Sequence, residues 1–184
     1  MIAQKIYLSA SQQPWNMYAD GIFNEEEVCH SYINLLKPDL EAKGYLVRVS
    51  DPKKTMYDNI AEANAWIKKL PNGLYDGAYI SHHTNAFKSK NDGTLGLCYP
   101  SEASRMLTRF LYGEIGAITK ASDEGIRETK GLAELSKTNM PSSLMEIVYH
   151  DNIADMKDFM LNMHKVAPAE VRAIEQYNMW YYRR

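Results

Sequence analysis

Short apolar strands alternate with amphipathic helices along most of the chain, and this alternation limits the possible fold more than any other feature. Consecutive strands that are separated by helices pair in parallel, and a parallel sheet needs helices on both faces. The sequence therefore predicts a three-layer α/β fold, in which a mostly parallel, twisted sheet is flanked by helices. The predicted strands are residues 5–9, 45–49, 77–81, 97–99 and 143–149, and the predicted helices are residues 24–43, 56–70, 101–116, 132–136 and a helical region from residue 152 onward.

Length, composition and charge narrow the function classes. The chain has 184 residues, of which 45% are hydrophobic, and its formal net charge is −2. This length is typical of one domain, so we predict a single domain over residues 1–184. The small net charge gives no electrostatic attraction to nucleic acid, and no apolar run is long enough for membrane insertion. The amino terminus lacks the segments of a signal peptide, which predicts synthesis in the cytoplasm.

Two adjacent histidines stand directly after the third predicted strand, in residues 81–86 (SHHTNA). Ligands and metals collect at strand ends in open α/β sheets, and neutral imidazole is the commonest metal ligand. We therefore expect any divalent metal to bind at this strand end. Neighbouring side chains on a strand point to opposite faces, so His82 and His83 cannot both bind one ion. The pattern alone leaves open which of them is active, and either could be a structural histidine.

A carboxylate stands inside the last predicted strand. Glu146 is flanked by Leu144, Met145, Ile147 and Val148, so its side chain is expected where water is scarce. Burial of a lone carboxylate raises its pKa, and a glutamate of that kind suits proton transfer in metal-assisted amide hydrolysis. The alternative is a glutamate on the wet face of an edge strand, where a basic residue pairs with it.

Two further polar residues fall at the ends of predicted elements. Glu25 begins the first helix, where Asn24 is a suitable N-cap residue and Glu27 stands three residues further on. His150 lies four residues after Glu146. It either lines the same crevice as that glutamate or begins the following loop.

The order of four sequence blocks resembles the zinc-dependent N-acetylmuramoyl-L-alanine amidases of the type 3 family, from residue 6 to about residue 177. These enzymes cut peptidoglycan between the lactyl group of muramic acid and L-alanine. Each block is moderately specific by itself, whereas four blocks in the right order are strongly indicative. The blocks are residues 6–9 (IYLS), Asn24-Glu25 ahead of Gly44-Tyr45, residues 80–86 (ISHHTNA) and residues 141–149 (PSSLMEIVY).

The resemblance implies a role for each matching residue of the catalytic centre. Glu25 and His83 would bind one Zn²⁺ ion, and Glu146 would be the catalytic glutamate. His82 falls at a position that is usually apolar, so the resemblance assigns the metal to His83. In the implied mechanism the zinc activates a water and polarises the amide carbonyl, and the glutamate transfers the proton of that water to the leaving amine.

The sequence departs from the family pattern at the first zinc ligand. The family has a His just after the first strand, and this place holds Gln12. A glutamine carbonyl is a weak ligand for zinc, which prefers Cys, His and carboxylate. His150 could supply the missing imidazole, Gln12 could bind weakly or through a water, or the site could be inactive. A phage and Firmicute-like branch in which this first His is replaced would favour a remodelled site.

The resemblance also implies a partner and a setting. Peptidoglycan would be the substrate, with Asn85 shaping the groove and Asn16 as a second substrate-binding residue. The chain would be a bare catalytic module without a separate cell-wall-binding domain, as in an endolysin or autolysin that reaches the wall by phage-type or other release. Two alternatives stay open: a non-catalytic peptidoglycan-binding module with a degenerate metal site, and a metallo-hydrolase of the same fold that acts on another amide or peptide.

Overall fold

The computed structural model describes residues 4–183, so residues 1–3 and 184 of the predicted domain lie outside the described part. Within it, six strands and five helices follow one another in a largely alternating order. The strands are β1 (Lys5–Ala10), β2 (Leu46–Val49), β3 (Gly77–Asn85), β4 (Thr94–Cys98), β5 (Ala121–Glu128) and β6 (Ser142–Tyr149). The helices are α1 (Glu25–Ala42), α2 (Met56–Trp66), α3 (Glu102–Thr119), α4 (Ala133–Ser136) and α5 (Ile153–Tyr181).

These strands form one sheet in the order β2-β1-β3-β6-β4-β5. Strands β2, β1, β3 and β6 are parallel neighbours, whereas β4 runs antiparallel to β6 and parallel to β5. The predicted α/β fold with a mostly parallel sheet between helices is therefore confirmed. Strand β5 was not predicted, because its sequence (ASDEGIRE) has too few apolar residues to show a strand pattern.

Alternation of side chains along the central strands separates the two faces of the sheet. Ile6 and Leu8 of β1 and Ile80 of β3 point into the larger core, together with apolar residues of α1, α3 and α5. Tyr7 and Tyr79 point to the opposite face, where their ring centroids lie 5.5 Å apart and α2 packs against them. The same alternation continues to the carboxyl end of β3, where the two histidines lie.

Several element boundaries differ from the prediction, including the end of α3, which lies at Thr119 rather than near Gly116. Strand β3 does not end at Ser81 but continues through both histidines to Asn85, so the polar residues belong to the strand itself. Strand β4 begins at Thr94, three residues earlier than predicted, and α2 ends at Trp66 rather than Leu70. Strand β3 continues because β1 pairs with it as far as His82 and β6 pairs with it as far as Asn85, so its backbone groups keep hydrogen-bond partners.

The helix that begins at Glu25 has the capping arrangement that the sequence predicts. The side chain of Asn24 accepts a hydrogen bond from the backbone nitrogen of Glu27 at 3.0 Å, and the Glu27 carboxylate accepts one from the backbone nitrogen of Asn24 at 3.4 Å. These contacts satisfy two donors at the helix start and fix where α1 begins. In the chain from residue 4 to residue 183, the structure contains no helix that combines the length and the apolarity needed to cross a membrane.

Gly77→Ala tests the close pairing of β1 and β3 at the start of the central strand. A Cβ at this position would lie 2.2 Å from the carbonyl oxygen of Lys5, so we expect the free energy of unfolding to fall by about 1–3 kcal/mol. Gly113→Ala in α3 is the matched control, because an added Cβ there has no heavy atom within 4 Å. It should raise the free energy of unfolding by about 0.5–1 kcal/mol. Urea unfolding measures both variants, and equal stability of the two would contradict the close pairing.

Candidate active site

His83 lies at the centre of a polar cluster at the carboxyl end of the parallel strands. Its Nδ1 atom is 3.0 Å from Oε1 of Glu25, and its Nε2 atom is 2.9 Å from Oε2 of Glu134. The ring is therefore held between two carboxylates, one at each nitrogen, and the residue is only 8% exposed. Burial opposes a charged ring, but the charge and hydrogen bond of Glu134, with the hydrogen bond to Glu25, raise the pKa of His83 well above its usual value.

Glu25 reaches His83 because α1 begins directly over the end of β3. Its Oε1 also accepts a hydrogen bond from the backbone nitrogen of Thr84 at 3.2 Å, and its Oε2 accepts one from the Asn16 amide at 2.8 Å. Burial alone would raise the pKa of Glu25, but the hydrogen bonds and charge of His83, with the Asn16 bond, lower it below its usual value. The structure thus brings together the two residues that the resemblance implied as metal ligands, and their binding of a metal stays a prediction.

Glu134 belongs to the same cluster and was missed by the sequence analysis. It lies in the single helical turn of α4, and its Oε1 accepts hydrogen bonds from Ser9 at 3.2 Å, Tyr79 at 3.1 Å and Ser81 at 2.5 Å. Burial alone would raise the pKa of Glu134, but the charge and hydrogen bond of His83, with those of the hydroxyl groups, lower it to about 2. A signal was present: Tyr79, Ser81 and His83 alternate along β3, so one strand face carries donors that need an acceptor.

Glu146 lies opposite His83 in the parallel pairing of β3 and β6, so both side chains project from the same face of the sheet. Strand β6 lies between β3 and β4, which shows that the alternative of a wet edge strand is wrong. The Oε2 atom is shielded from solvent and has no hydrogen-bond partner. Burial raises the pKa of Glu146 to about 7; the charge of His83 opposes this rise, and the charges of Glu25 and Glu134 add to it.

The loop between β1 and α1 contributes two amides to the cluster. Nε2 of Gln13 lies 3.4 Å from Nδ1 of His83, and the Asn16 amide donates to Oε1 of Gln13 at 2.8 Å as well as to Glu25. A half-turn of the Gln13 carboxamide would place its carbonyl oxygen beside the imidazole instead. In this arrangement Asn16 orients Glu25, and its predicted contact with substrate stays a prediction.

The predicted metal-ligand role of Gln12 is not supported by its position. Its amide turns away from the cluster and donates a hydrogen bond to the carbonyl oxygen of Lys54 at 2.7 Å. The next residue, Gln13, instead has its side-chain amide next to His83. The sequence therefore predicted the right loop, but the side chain that faces the site belongs to Gln13, one residue after Gln12.

The predicted metal-ligand role of His150 is likewise not supported. Its Nδ1 atom lies 3.0 Å from both the hydroxyl and the carbonyl oxygen of Thr84, and its ring stacks on Tyr18 with centroids 5.4 Å apart. A bulge between His83 and Asn85 shifts the pairing of β3 with β6, and His150 lies one residue beyond the end of β6. Asn85, at the end of β3, is partly exposed and accepts a hydrogen bond from the next backbone nitrogen at 2.8 Å; its substrate contact stays a prediction.

His82 points to the opposite face of β3, as the strand periodicity predicts. Its Nε2 atom lies 2.8 Å from Oε1 of Glu170 in α5, and the Tyr32 hydroxyl donates to Oε2 of the same carboxylate at 2.7 Å. Each of these three residues is fully buried. His82 thus joins the sheet to two helices, whereas His83 faces the cluster of carboxylates.

The charge of the cluster bears on whether a metal fits it. When its three glutamates are ionised and His83 is protonated, the cluster carries an excess of two negative charges. The ion pairs of Glu25 and Glu134 are both with His83. Within residues 4–183, no group of three or more His, Cys, Asp or Glu side chains has the arrangement of a metal site. A carboxylate and an imidazole nevertheless lie 3.0 Å apart, and the unpartnered oxygen of Glu146 belongs to a side chain on the same sheet face as that imidazole. The residues therefore fit a divalent cation whose coordination is completed by oxygen atoms of amides, water or substrate.

A family model described as N-acetylmuramoyl-L-alanine amidase matches residues 14–176. The chain belongs to this family. The match includes Glu25, His83, Glu134 and Glu146 and confirms the enzyme class that the sequence blocks implied, the hydrolysis of the bond between muramic acid and L-alanine in peptidoglycan. A search of curated protein sequences finds no match to the amidase.

Solved amidase structures share the fold over nearly their whole length. An N-acetylmuramoyl-L-alanine amidase from Clostridium difficile 630 is 18% identical, with a TM-score of 0.80 over 96% of this chain and 97% of that chain. The CwlD amidase from Clostridioides difficile, in complex with the GerS lipoprotein, is 20% identical, with a TM-score of 0.77 over 96% and 98%. The catalytic domain of an endolysin targeting Clostridia difficile is 20% identical, with a TM-score of 0.74 over 94% and 97%.

Glu146→Gln should change how the stability of the metal-free amidase depends on pH. The pKa of Glu146 is about 7 in the folded protein, whereas its ordinary value, which applies to the unfolded chain, is 4.5. As the pH rises, the unfolded chain therefore loses this proton at a lower pH than the folded protein. The contribution of Glu146 to stability is therefore fully present below about pH 4.5, is lost as the pH rises, and stays lost above about pH 7. Relative to wild type, Glu146→Gln should be more stable at pH 8 than at pH 4.5 in urea unfolding with chelator. A stability difference that does not vary with pH would contradict the raised pKa of Glu146.

Proposed function

We propose that this amidase cuts the amide bond between the lactyl group of muramic acid and L-alanine with the help of one bound Zn²⁺ ion. The observation that carries the proposal is the position of Glu146, whose unpartnered carboxylate oxygen lies on the same sheet face as His83. The residue as a whole is partly exposed, but a carboxylate oxygen that is shielded from water and has no hydrogen-bond partner is costly in a purely structural role. Beside a metal and a scissile amide, the same group can accept and donate a proton.

The zinc ion would be held by Oε1 of Glu25 and Nδ1 of His83, which are 3.0 Å apart. The carboxamide of Gln13 is the next side chain at this nitrogen and would be the third donor. An amide oxygen is a weaker zinc ligand than imidazole, so we expect weaker zinc binding than in a site with two histidines. When bound, the zinc supplies Lewis-acid polarisation of the scissile carbonyl and of the attacking water.

Glu146 would transfer the proton in the reaction. A group with a pKa near 7 is present in both protonation states at neutral pH, which is the condition under which one residue serves as base and then as acid. As a carboxylate, Glu146 takes the proton of the attacking water while the new carbon–oxygen bond forms. As a carboxylic acid, it returns the proton to the nitrogen of L-alanine while the carbon–nitrogen bond breaks.

The proposed place of action is the bacterial cell wall, where the peptidoglycan substrate lies. An amidase of the endolysin or autolysin kind would meet the wall after release from the cell. The fold similarity to an endolysin catalytic domain is compatible with this setting. Asn85 is proposed to contact the substrate, because it ends the strand that carries His83 and its side chain is partly exposed.

Glu146→Gln should lower the rate of peptidoglycan hydrolysis by about 10²–10⁴-fold, because the proton acceptor is lost while the shape is kept. The measurement is the release of free L-alanine amino termini from purified cell wall, with bound zinc determined in the same samples. Glu128→Gln is the matched control, since Glu128 is an exposed glutamate that pairs with Arg105 on the surface. Wild-type protein that carries zinc and releases no L-alanine amino termini from any wall tested would contradict the proposed activity.

A non-catalytic peptidoglycan-binding module is the second candidate function. The observation in its favour is that the described residues contain no complete group of three metal-binding side chains. The two candidates differ in a direct measurement, because the module would sediment with purified wall in the presence of chelator and release nothing from it.

Gln13→His should strengthen zinc binding, whereas Gln12→His should not. A histidine at position 13 faces Nδ1 of His83, and position 12 faces Lys54 instead. Imidazole is a preferred zinc ligand, and about 1.4 kcal/mol of added binding free energy already gives a tenfold lower Kd. Competition with a chromophoric chelator measures both variants. A stronger gain in zinc affinity from Gln12→His than from Gln13→His would show that the ligand position has been assigned to the wrong glutamine.

A further inference from the structure

We propose that Glu134 is a positioning residue of the amidase, which fixes the ring of His83 so that Nε2 keeps its proton and Nδ1 faces Glu25. The proposal rests on the proposed zinc-dependent function and adds to the site a residue that neither the sequence blocks nor the family resemblance assigned. Two observations support it: the hydrogen bonds that hold Glu134 in place, and the position of its carboxylate beside Nε2 of His83 rather than beside Nδ1.

The carboxylate of Glu134 is itself held firmly. Its Oε1 accepts hydrogen bonds from three hydroxyl groups, and its Oε2 faces Nε2 of His83 at 2.9 Å. The backbone carbonyl oxygen of Glu134 accepts a further hydrogen bond from the Thr138 hydroxyl at 3.1 Å, and the hydroxyl of Ser142 in β6 donates to the carbonyl oxygen of Leu135 at 3.3 Å. The short helix α4 is therefore tied to the sheet, and its carboxylate is fixed relative to β3. The three hydroxyl groups belong to Ser9, Tyr79 and Ser81.

Glu134 and Glu25 cannot have the same role, because they lie on different edges of the ring. Oε1 of Glu25 is beside Nδ1, and Oε2 of Glu134 is beside Nε2. An ion bound at Nδ1 with Glu25 therefore leaves Glu134 at the far nitrogen, where it accepts the remaining N–H hydrogen bond. With one oxygen occupied by three hydroxyl groups and the other by the imidazole, Glu134 is an orienting group rather than a ligand.

This contact explains how a site with only one imidazole could still bind zinc. A carboxylate that accepts the second N–H of a metal-binding histidine fixes the tautomer and raises the basicity of the other nitrogen. Removal of such a partner typically costs about 10–100-fold in metal affinity. Because Gln13, the proposed third donor, is a weaker zinc ligand than a histidine, the zinc affinity of this site depends more on the bond between zinc and His83 than it would in a site with two histidines.

The chain offers a matched control one residue away on the same strand. Glu170 lies 2.8 Å from Nε2 of His82, which makes a second buried pair of a glutamate with the Nε2 atom of a histidine. This pair lies on the opposite face of β3 and has no contact with Glu25. Glu170→Gln and Glu134→Gln therefore make the same chemical change at similar burial, and only the second faces the site.

The experiment measures zinc affinity of the full chain by chelator competition for wild type, Glu134→Gln and Glu170→Gln. It also uses long-range ¹H–¹⁵N NMR of the zinc-loaded wild-type protein to find which nitrogen of His83 carries the proton. We expect a Kd about 10–100-fold higher for Glu134→Gln, a Kd equal to wild type for Glu170→Gln, and the proton on Nε2. The NMR measurement needs no variant, so the test stands even if a substitution prevents folding.

Several results would overturn the proposal. They are an unchanged Kd for Glu134→Gln, an equal loss of affinity in Glu170→Gln, and a proton found on Nδ1 of His83. An unchanged Kd beside normal zinc binding by wild type contradicts only the role of Glu134. A wild-type protein that binds no zinc contradicts both this role and the metal in the proposed function, so the two failures are distinguishable.

Discussion

The rest of the site depends on the contacts of one imidazole with two buried carboxylates, one at each ring nitrogen. Glu25 and Glu134 approach His83 from opposite ring edges, at 3.0 and 2.9 Å, and each is fixed by further hydrogen bonds from the loop or the sheet. Burial raises the pKa of Glu146 and the charges of these two carboxylates add to the rise, while the same carboxylates raise the pKa of the imidazole against the effect of its burial. We propose that this excess of negative charge favours both the binding of a divalent cation and proton transfer by Glu146.

The sheet makes this arrangement possible by sorting side chains onto two faces. One position along β3 separates His82, which packs with Glu170 and Tyr32 in the core, from His83, which meets the carboxylates. The parallel neighbour β6 then places Glu146 opposite His83. Two chemically similar pairs of histidine and glutamate therefore have different roles, because one is enclosed between helices and the other lies at the end of the strands.

The alternating pattern of strands and helices predicted the fold, and the motif at residues 81–86 predicted where the site lies, because both depend on local periodicity. Glu25 and Glu146 were found for the same reason, since each stands at a recognisable place in an element. Glu134 was not, because it lies in a four-residue turn and approaches His83 only through tertiary packing. The position of Gln13, rather than Gln12, beside His83 depends on loop geometry. The position of His150 depends on a bulge in β3, and the spacing of residues in the sequence reveals neither feature.

X-ray absorption spectroscopy of the zinc-loaded amidase directly tests the proposed metal site, because the scattering of the imidazole ring counts the histidines bound to the metal. We predict one imidazole in the first coordination shell, with oxygen atoms completing it, and the loss of that imidazole in His83→Ala. Two or more imidazoles around the zinc, or an unchanged spectrum in His83→Ala, would contradict a metal site built on His83 between Glu25 and Glu134.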